Sequence, residues 1–407
     1  MSTPAYPSVP DSRSAASLAW PAALALAAAM GIGRFAFTPV WPLMAQEGGL
    51  SLAQGSWIAS ANYAGYLLGA LAAVVWPVRH PRGQLALSLL AVALLTLAMP
   101  LMHDVAFWCA LRLAAGYASA SAFICVAGWR AVPAGDPREP AAAGLTYAGV
   151  GAGIALTGLA CLGLMAWGVR ADGMWLALGG LTLALSVIAW PGLNRPAASG
   201  RPSAAAARPA PLSRAVPRLA LHYGVFGVGY IIPATFLPAM AKEVIADPAV
   251  FGWAWPLFGL AAAVSCLLVP RLARGRDDKR VWQGAQALMA IGMLAVALWH
   301  HIAAVIVAAL LVGGTFMVIT QAGMLTARRA AGAAAPRAAA IMTAAFAAGQ
   351  ILGPLLASWA SHWGAGLPQV LGAGAALLAL SAWRLGKITT EDIGAGHNAI
   401  GPQGCTH

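Results

Sequence analysis

Two arginines, Arg34 and Arg112, lie inside long apolar stretches of this chain, where a charge needs a reason. At the centre of a membrane-spanning helix an arginine costs about 2.5–3.5 kcal/mol on an insertion scale, so each should face a polar cavity or a partner. The planar guanidinium fork is suited to holding a carboxylate or another oxyanion by charge-assisted hydrogen bonds. Arg34 sits in AMGIGRFAFTPVWPLMAQE, roughly 24 Å along its helix. Thr38 and Trp41 follow it at i+4 and i+7 and share its face if the helix is continuous. Pro39 and Pro42 remove backbone donors and predict a kink that frees carbonyls. The competing role for Arg34 is to cap or pair with a neighbouring helix end. Arg112 lies eight residues beyond Asp104, at a depth similar to Arg34, with Gly116 and Ser119 on its face. Its alternative is a purely structural contact.

Other polar groups sit at membrane depth. Asn62 and Tyr66 share a face in WIASANYAGYLLGA, with Tyr63 beside them, and Gly65 and Gly69 form a packing pair. His222, Tyr223, Tyr230, Thr320, Gln321 and Gln350 complete the set. The expected substrate-binding residues are Arg34, Thr38, Trp41, Asn62, Tyr66, Arg112, Tyr230, Gln321 and Gln350. Glycines recur at Gly149, Gly151 and Gly153, and again at Gly349 and Gly353 before Pro354. Gly149, Gly153, Gly349, Gly353 and Pro354 are expected to let helices slide or bend as a gate. All 12 carboxylates fall in gaps, tails or helix ends, so the buried charge is cationic and should attract an anion. If protons move, His222, Glu47 and Asp104 are the remaining carriers.

Cys109, Cys125, Cys161, Cys266 and Cys405 have no metal-type spacing, and neither a metal nor another cofactor is expected. An intramembrane enzyme would need a nucleophile, paired carboxylates or a metal cluster at depth, and His222 alone does not supply one. A non-transporting assembly protein would have little use for buried charge and gating glycines.

The elements that must position these groups follow from composition. Hydrophobic residues make up 60% of the chain and charged residues 9%, which indicates an all-α polytopic membrane protein. Apolar stretches predict twelve spans, near 18–45, 54–77, 84–101, 104–132, 140–168, 172–193, 216–243, 248–270, 281–300, 302–326, 337–361 and 365–385. Of 24 Lys and Arg, 20 lie in alternate gaps or at the two ends, which places both ends in the cytoplasm. The same placement assigns the net charge of +12 to lipid headgroups rather than nucleic acid. The apolar run after Arg13 is too long for a signal peptide, so it reads as an uncleaved first span. The chain divides into a cytoplasmic tail (1–17), a six-helix bundle (18–193), a Pro/Ala/Arg linker (194–215), a second six-helix bundle (216–387) and a polar tail (388–407).

The halves repeat weakly. At an offset of 196, Gly31 and Gly33 match Gly227 and Gly229, Pro42 matches Pro238, Met44, Ala45 and Glu47 match Met240, Ala241 and Glu243, and Trp57 matches Trp253. At an offset of 200, Gly149 and Gly153 match Gly349 and Gly353. Parallel six-helix halves joined by a cytoplasmic loop are the pattern of major facilitator transporters.

GIGRFAFTPVWPLM, SWIASANYAGYLLGAL and GQILGPLLAS resemble the YbfB/YjiJ family of the major facilitator superfamily (MFS), over nearly the whole chain. WCALRLAAGYASA resembles the superfamily's helix 4 motif, with Arg112 and Gly116 as its arginine and glycine. The fifth span resembles the antiporter Gly-rich motif only loosely, since no Pro follows Gly153; GQILGP is closer. The loop 2–3 motif departs from the pattern: WPVRHPRGQ keeps Arg79 and Arg82 but has no carboxylate. The resemblance implies the MFS fold, alternating access and a central cavity lined by spans 1, 4, 7 and 10. The expectation is thus a monomeric, inner-membrane secondary transporter, surrounded by lipid, for a small organic anion or drug-like metabolite.

Overall fold

The computed structural model describes residues 14–76, 78–133, 136–194, 212–244, 252–299 and 301–388, except the side chains of 52 and 235–244. Most of the expected linker and of both tails, Cys405 and the repeat partners at 238–243 therefore lie outside the described residues or side chains.

The first span does not run as one α-helix. α1 (Ala15–Leu26) starts at Ser14, whose hydroxyl accepts from the Ser17 amide at 3.2 Å. A π-helical segment (Ala27–Ile32) follows, then a turn over 33–36, and α2 (Phe37–Gly48) resumes the path. Gly33 donates to Ala28, five residues back, and Thr38 donates to Phe35, three back, so the break is wide on one side and tight on the other. Pro39 has no N–H to offer the Phe35 carbonyl, and Pro42 none for Thr38. The face predicted for Arg34, Thr38 and Trp41 assumed an unbroken helix; the break resets its phase.

Eleven further helices follow: α3 (Leu52–Val75), α4 (Pro81–Leu97), α5 (Val105–Gly128), α6 (Glu139–Ala166), α7 (Ala171–Leu193), α8 (Ala215–Val244), α9 (Ala254–Leu272), α10 (Asp278–Leu298), α11 (Ile302–Ala331), α12 (Ala335–His362) and α13 (Leu367–Gly386). α3 begins with a reciprocal Ser51–Gln54 capping box and α5 with Asp104 accepting from Phe107 at 2.9 Å. Ten stretches among the described residues are long and apolar enough to cross a bilayer. One of them, Ile302–His362, contains both α11 and α12, joined through a 3₁₀ turn at Gly332, whose φ of 52° suits glycine. α13, diluted by Gln369 and Arg384, is not among the ten.

Burial is inverted relative to a water-soluble protein. Leu87, Val187, Leu221, Leu272 and Leu355 are exposed, whereas Arg34, Asn62, Arg112, Gln286, Gln321 and Gln350 are buried. Trp76, Trp167, Trp299 and Trp363 each cap the C-terminal end of a helix and are exposed, Trp167 at 85%. That is the placement of an interfacial tryptophan belt. The helix pairings recur along the chain: α1–α6 and α8–α12, α3–α5 and α9–α11, α4–α7 and α10–α13, α4–α5 and α10–α11. α6 also packs on α9, and α3 on α12.

Glycine sets these close approaches. A Cβ on Gly153 would lie 2.5 Å from the Ala27 carbonyl oxygen and 2.8 Å from Gly31 Cα, so α6 meets the π segment backbone to backbone. Gly349 stands in the same relation to α8, where a Cβ would reach 2.9 Å from the Val228 nitrogen.

Candidate functional site

The broken first span projects Arg34 into the middle of the protein, where it is 3% exposed. Its Nη2 donates to Gln350 Oε1 on α12, and its Cζ lies 3.8 Å from the centroid of the Tyr66 ring on α3. Tyr63 and Phe35 are farther, at 5.5 and 5.7 Å. Among the described residues, Nε and Nη1 have no hydrogen-bond partner and no carboxylate pairs with this guanidinium. At least three N–H groups of a buried cation, those on Nε and Nη1, are thus uncommitted. The Tyr66 face offsets part of the cost, by about 2 kcal/mol or more for a desolvated cation–π contact.

Arg112 is 2% exposed and its fork is engaged differently. Nη1 and Nη2 donate to the carbonyls of Gly33 and Arg34, both at 2.8 Å. Ser119, on the same face of α5, donates to Ala29 at 2.8 Å, and Thr157 of α6 reaches Gly31 at 3.3 Å. Three side chains therefore supply donors to carbonyls of the π segment and turn, where the ordinary ladder is disturbed. Asn62 supports the arrangement from α3, its Nδ2 donating to the Arg112 carbonyl at 2.9 Å while Oδ1 has no partner.

A small cavity lies against Arg34. The first half contributes Met30, Arg34, Phe35, Tyr66 and Phe123; the second contributes Tyr223, Phe316, Met317, Thr320, Thr343 and Phe346. Of the residues expected to bind substrate, Arg34 and Tyr66 line it, and Gln350 touches it through Arg34. Tyr230 stands behind the wall, stacked on Phe316 at 4.3 Å and 13°. Gln321 is buried on α11 with Oε1 unbonded, outside the lining. Thr38 is half-buried, and the Trp41 ring lies over Gly55 and 5.5 Å from Phe37, also away from the cavity.

Thr343 and Phe346 lie seven and four residues before Gln350, on one face of α12, and that spacing is the signal by which they could have been found. Phe123, Phe316 and Met317 carry no such mark. Gly149 and Gly153 pack on Ala23 and Ala27, Gly349 and Gly353 on Gly224 and Val228. Pro354, half-buried inside α12, has no N–H for the carbonyl of Gln350. His222 Nδ1 contacts Ser381 Oγ at 2.9 Å, Glu47 accepts from the Ala171 amide and pairs with Arg170, and Asp104 caps α5. None of the three lines the cavity.

A second cluster sits at the basic end of the helices and was not foreseen. Arg328, near the end of α11, donates to the Ala127 carbonyl of α5 and lies 3.9 Å from Glu139 at the start of α6. Arg130 approaches the same carboxylate at 3.5 Å. These contacts tie the two halves together where the loop 2–3 motif lacks its acid.

Comparison with known proteins bears on the whole chain. The sequence model of a family described as uncharacterised MFS-type transporter YbfB matches residues 26–384. No curated protein matches the sequence. Among solved structures, the human organic anion transporter MFSD10 (TETRAN) is similar, with a TM-score of 0.72, 14% sequence identity, and coverage of 93% of this chain and 100% of that one. At that identity the likeness shows the fold.

Proposed function

The chain belongs to the YbfB family of MFS-type transporters, and from that premise we propose that it carries a small organic anion across the membrane by alternating access. Family and fold point to a multi-pass membrane transporter of a small molecule rather than an enzyme. The observation that carries the anion reading is Arg34: a buried cation between the two halves, with three N–H groups uncommitted and no counter-charge among the described residues. A substrate carboxylate or similar group would supply that charge. A charge-assisted hydrogen bond of this kind is worth about 1.5–3 kcal/mol, or roughly 10- to 150-fold in affinity. The similar solved structure is itself an organic anion transporter, which agrees.

In this reading residues 18–193 and 216–387 are two six-helix bundles making twelve spans, supported by the recurring helix pairings and the glycine contacts of α6 and α12. The 194–215 linker and the tails at 1–17 and 388–407 face the cytoplasm of an inner-membrane monomer, as the basic residues argue. The cavity serves both access states, the Arg328–Glu139 cluster closes the cytoplasmic side, and the small-residue contacts at Gly149, Gly153, Gly349 and Gly353 are where helices slide.

Uptake by proteoliposomes challenged with anions, cations and sugars tests the reading. Anion uptake should fall at least about tenfold in Arg34→Ala and partly in Arg34→Lys, which keeps the charge but not the fork. Normal anion uptake by folded Arg34→Ala protein would end it.

A further inference from the structure

We infer that the substrate is a monoanion with a flat aromatic body, bound with its single negative group on Arg34 and its ring between the aromatic side chains of the two halves once these part, since the cavity of about 10 Å³ between them holds no more than a water. The inference rests on the anion reading and narrows it. Its basis is a census of what the cavity offers. Arg34 is the only basic residue lining it among the described residues. The other buried arginine, Arg112, has both terminal nitrogens committed to the Gly33 and Arg34 carbonyls. A second negative charge would therefore enter a water-poor space with nothing to meet it, and an uncompensated buried charge is strongly disfavoured.

The remaining wall is built for rings. Phe35 meets Phe316 edge-on at 6.1 Å and 90°, and Phe316 is held flat against Tyr230 at 4.3 Å. Phe123 faces them from α5, and Phe346 joins from α12. Edge-to-face and offset contacts of this kind favour an aromatic ring over an aliphatic chain of equal size. Tyr66 covers one face of the guanidinium, so a planar carboxylate approaches in the plane of the fork, within a cavity that Phe316 also lines. An acidic oxygen cluster such as phosphate gains the fork but leaves the aromatic wall unused.

Binding to detergent-purified full-length protein, read by titration calorimetry, tests this with benzoate, cyclohexanecarboxylate, acetate, succinate, inorganic phosphate and benzyltrimethylammonium. Benzoate is expected to bind about tenfold tighter than acetate or succinate and to exceed cyclohexanecarboxylate. Phe316→Ala should weaken benzoate several-fold and leave acetate nearly unchanged; Phe346→Leu serves the same purpose if Phe316→Ala does not fold. Arg34→Ala should abolish all anion binding. Succinate or phosphate binding as tightly as benzoate, still dependent on Arg34, would overturn the inference while the anion reading stands. Tightest binding of benzyltrimethylammonium, indifferent to Arg34, would overturn both. Absence of benzoate binding at millimolar concentration, with another anion bound, would overturn the inference alone.

Discussion

Arg112 holds the turn that carries Arg34. Its two 2.8 Å bonds to Gly33 and Arg34, the residue proposed to hold the solute, are charge-assisted, worth about 1.5–3 kcal/mol each, so losing both costs about 3–6 kcal/mol. Replacement by an apolar side chain of similar length, Arg112→Met, also removes a buried cation and recovers about 2.5–3.5 kcal/mol of insertion cost. The net is a loss of about 0–3 kcal/mol. Arg112→Lys keeps the buried charge, cannot span both carbonyls, and recovers nothing, so it loses at least one bond, about 1.5–3 kcal/mol. The charge-conserving substitution should therefore be no milder than the apolar one. Thermal unfolding of the two purified variants, read beside benzoate affinity and uptake, checks this. Both should weaken benzoate, because the turn that aims Arg34 loosens. If Arg112 instead gripped the substrate, Arg112→Lys would keep most of the uptake while Arg112→Met lost it at unchanged stability. That pattern would refute the reasoning.

Gly153→Val should lower folded yield severely and Gly153→Ala by about 1–3 kcal/mol, because the new carbon meets Ala27 and Gly31 backbone rather than movable side chains; normal melting of both would contradict the packing. Arg328→Ala should release the Ala127 carbonyl, leave Glu139 to Arg130 alone and raise labelling of cysteines placed along the cytoplasmic half of the cavity, while unchanged labelling would show the cluster does not close it. For topology, cysteines at Ser51 and Ser203 should react with an external impermeant reagent only at position 51, and labelling at 203 in intact cells would reverse the orientation. Ser119→Ala, which removes the 2.8 Å bond to Ala29, should cost about 1 kcal/mol in stability and leave benzoate affinity within about twofold.

Several features were legible without coordinates because they are compositional or periodic. Apolar runs long enough to cross a bilayer and the glycine repeats report the solvent each segment meets and how near its neighbours come, and neither depends on long-range contacts. The same holds for Arg34 and Arg112 as exceptions, since a charge in an apolar run is conspicuous on its own. What their fellow residues do was decided by packing. The turn over 33–36 lies between Arg34 and the helix that carries Thr38 and Trp41, so these two left the face their spacing assigned them. Two buried arginines acquired different partners because the carbonyls of Gly33 and Arg34 came within reach of one and Gln350 with Tyr66 within reach of the other. Gln350 lies 316 residues from Arg34. Chemistry at that separation is set by which helices touch, and α12 touches α3 only once the chain has folded.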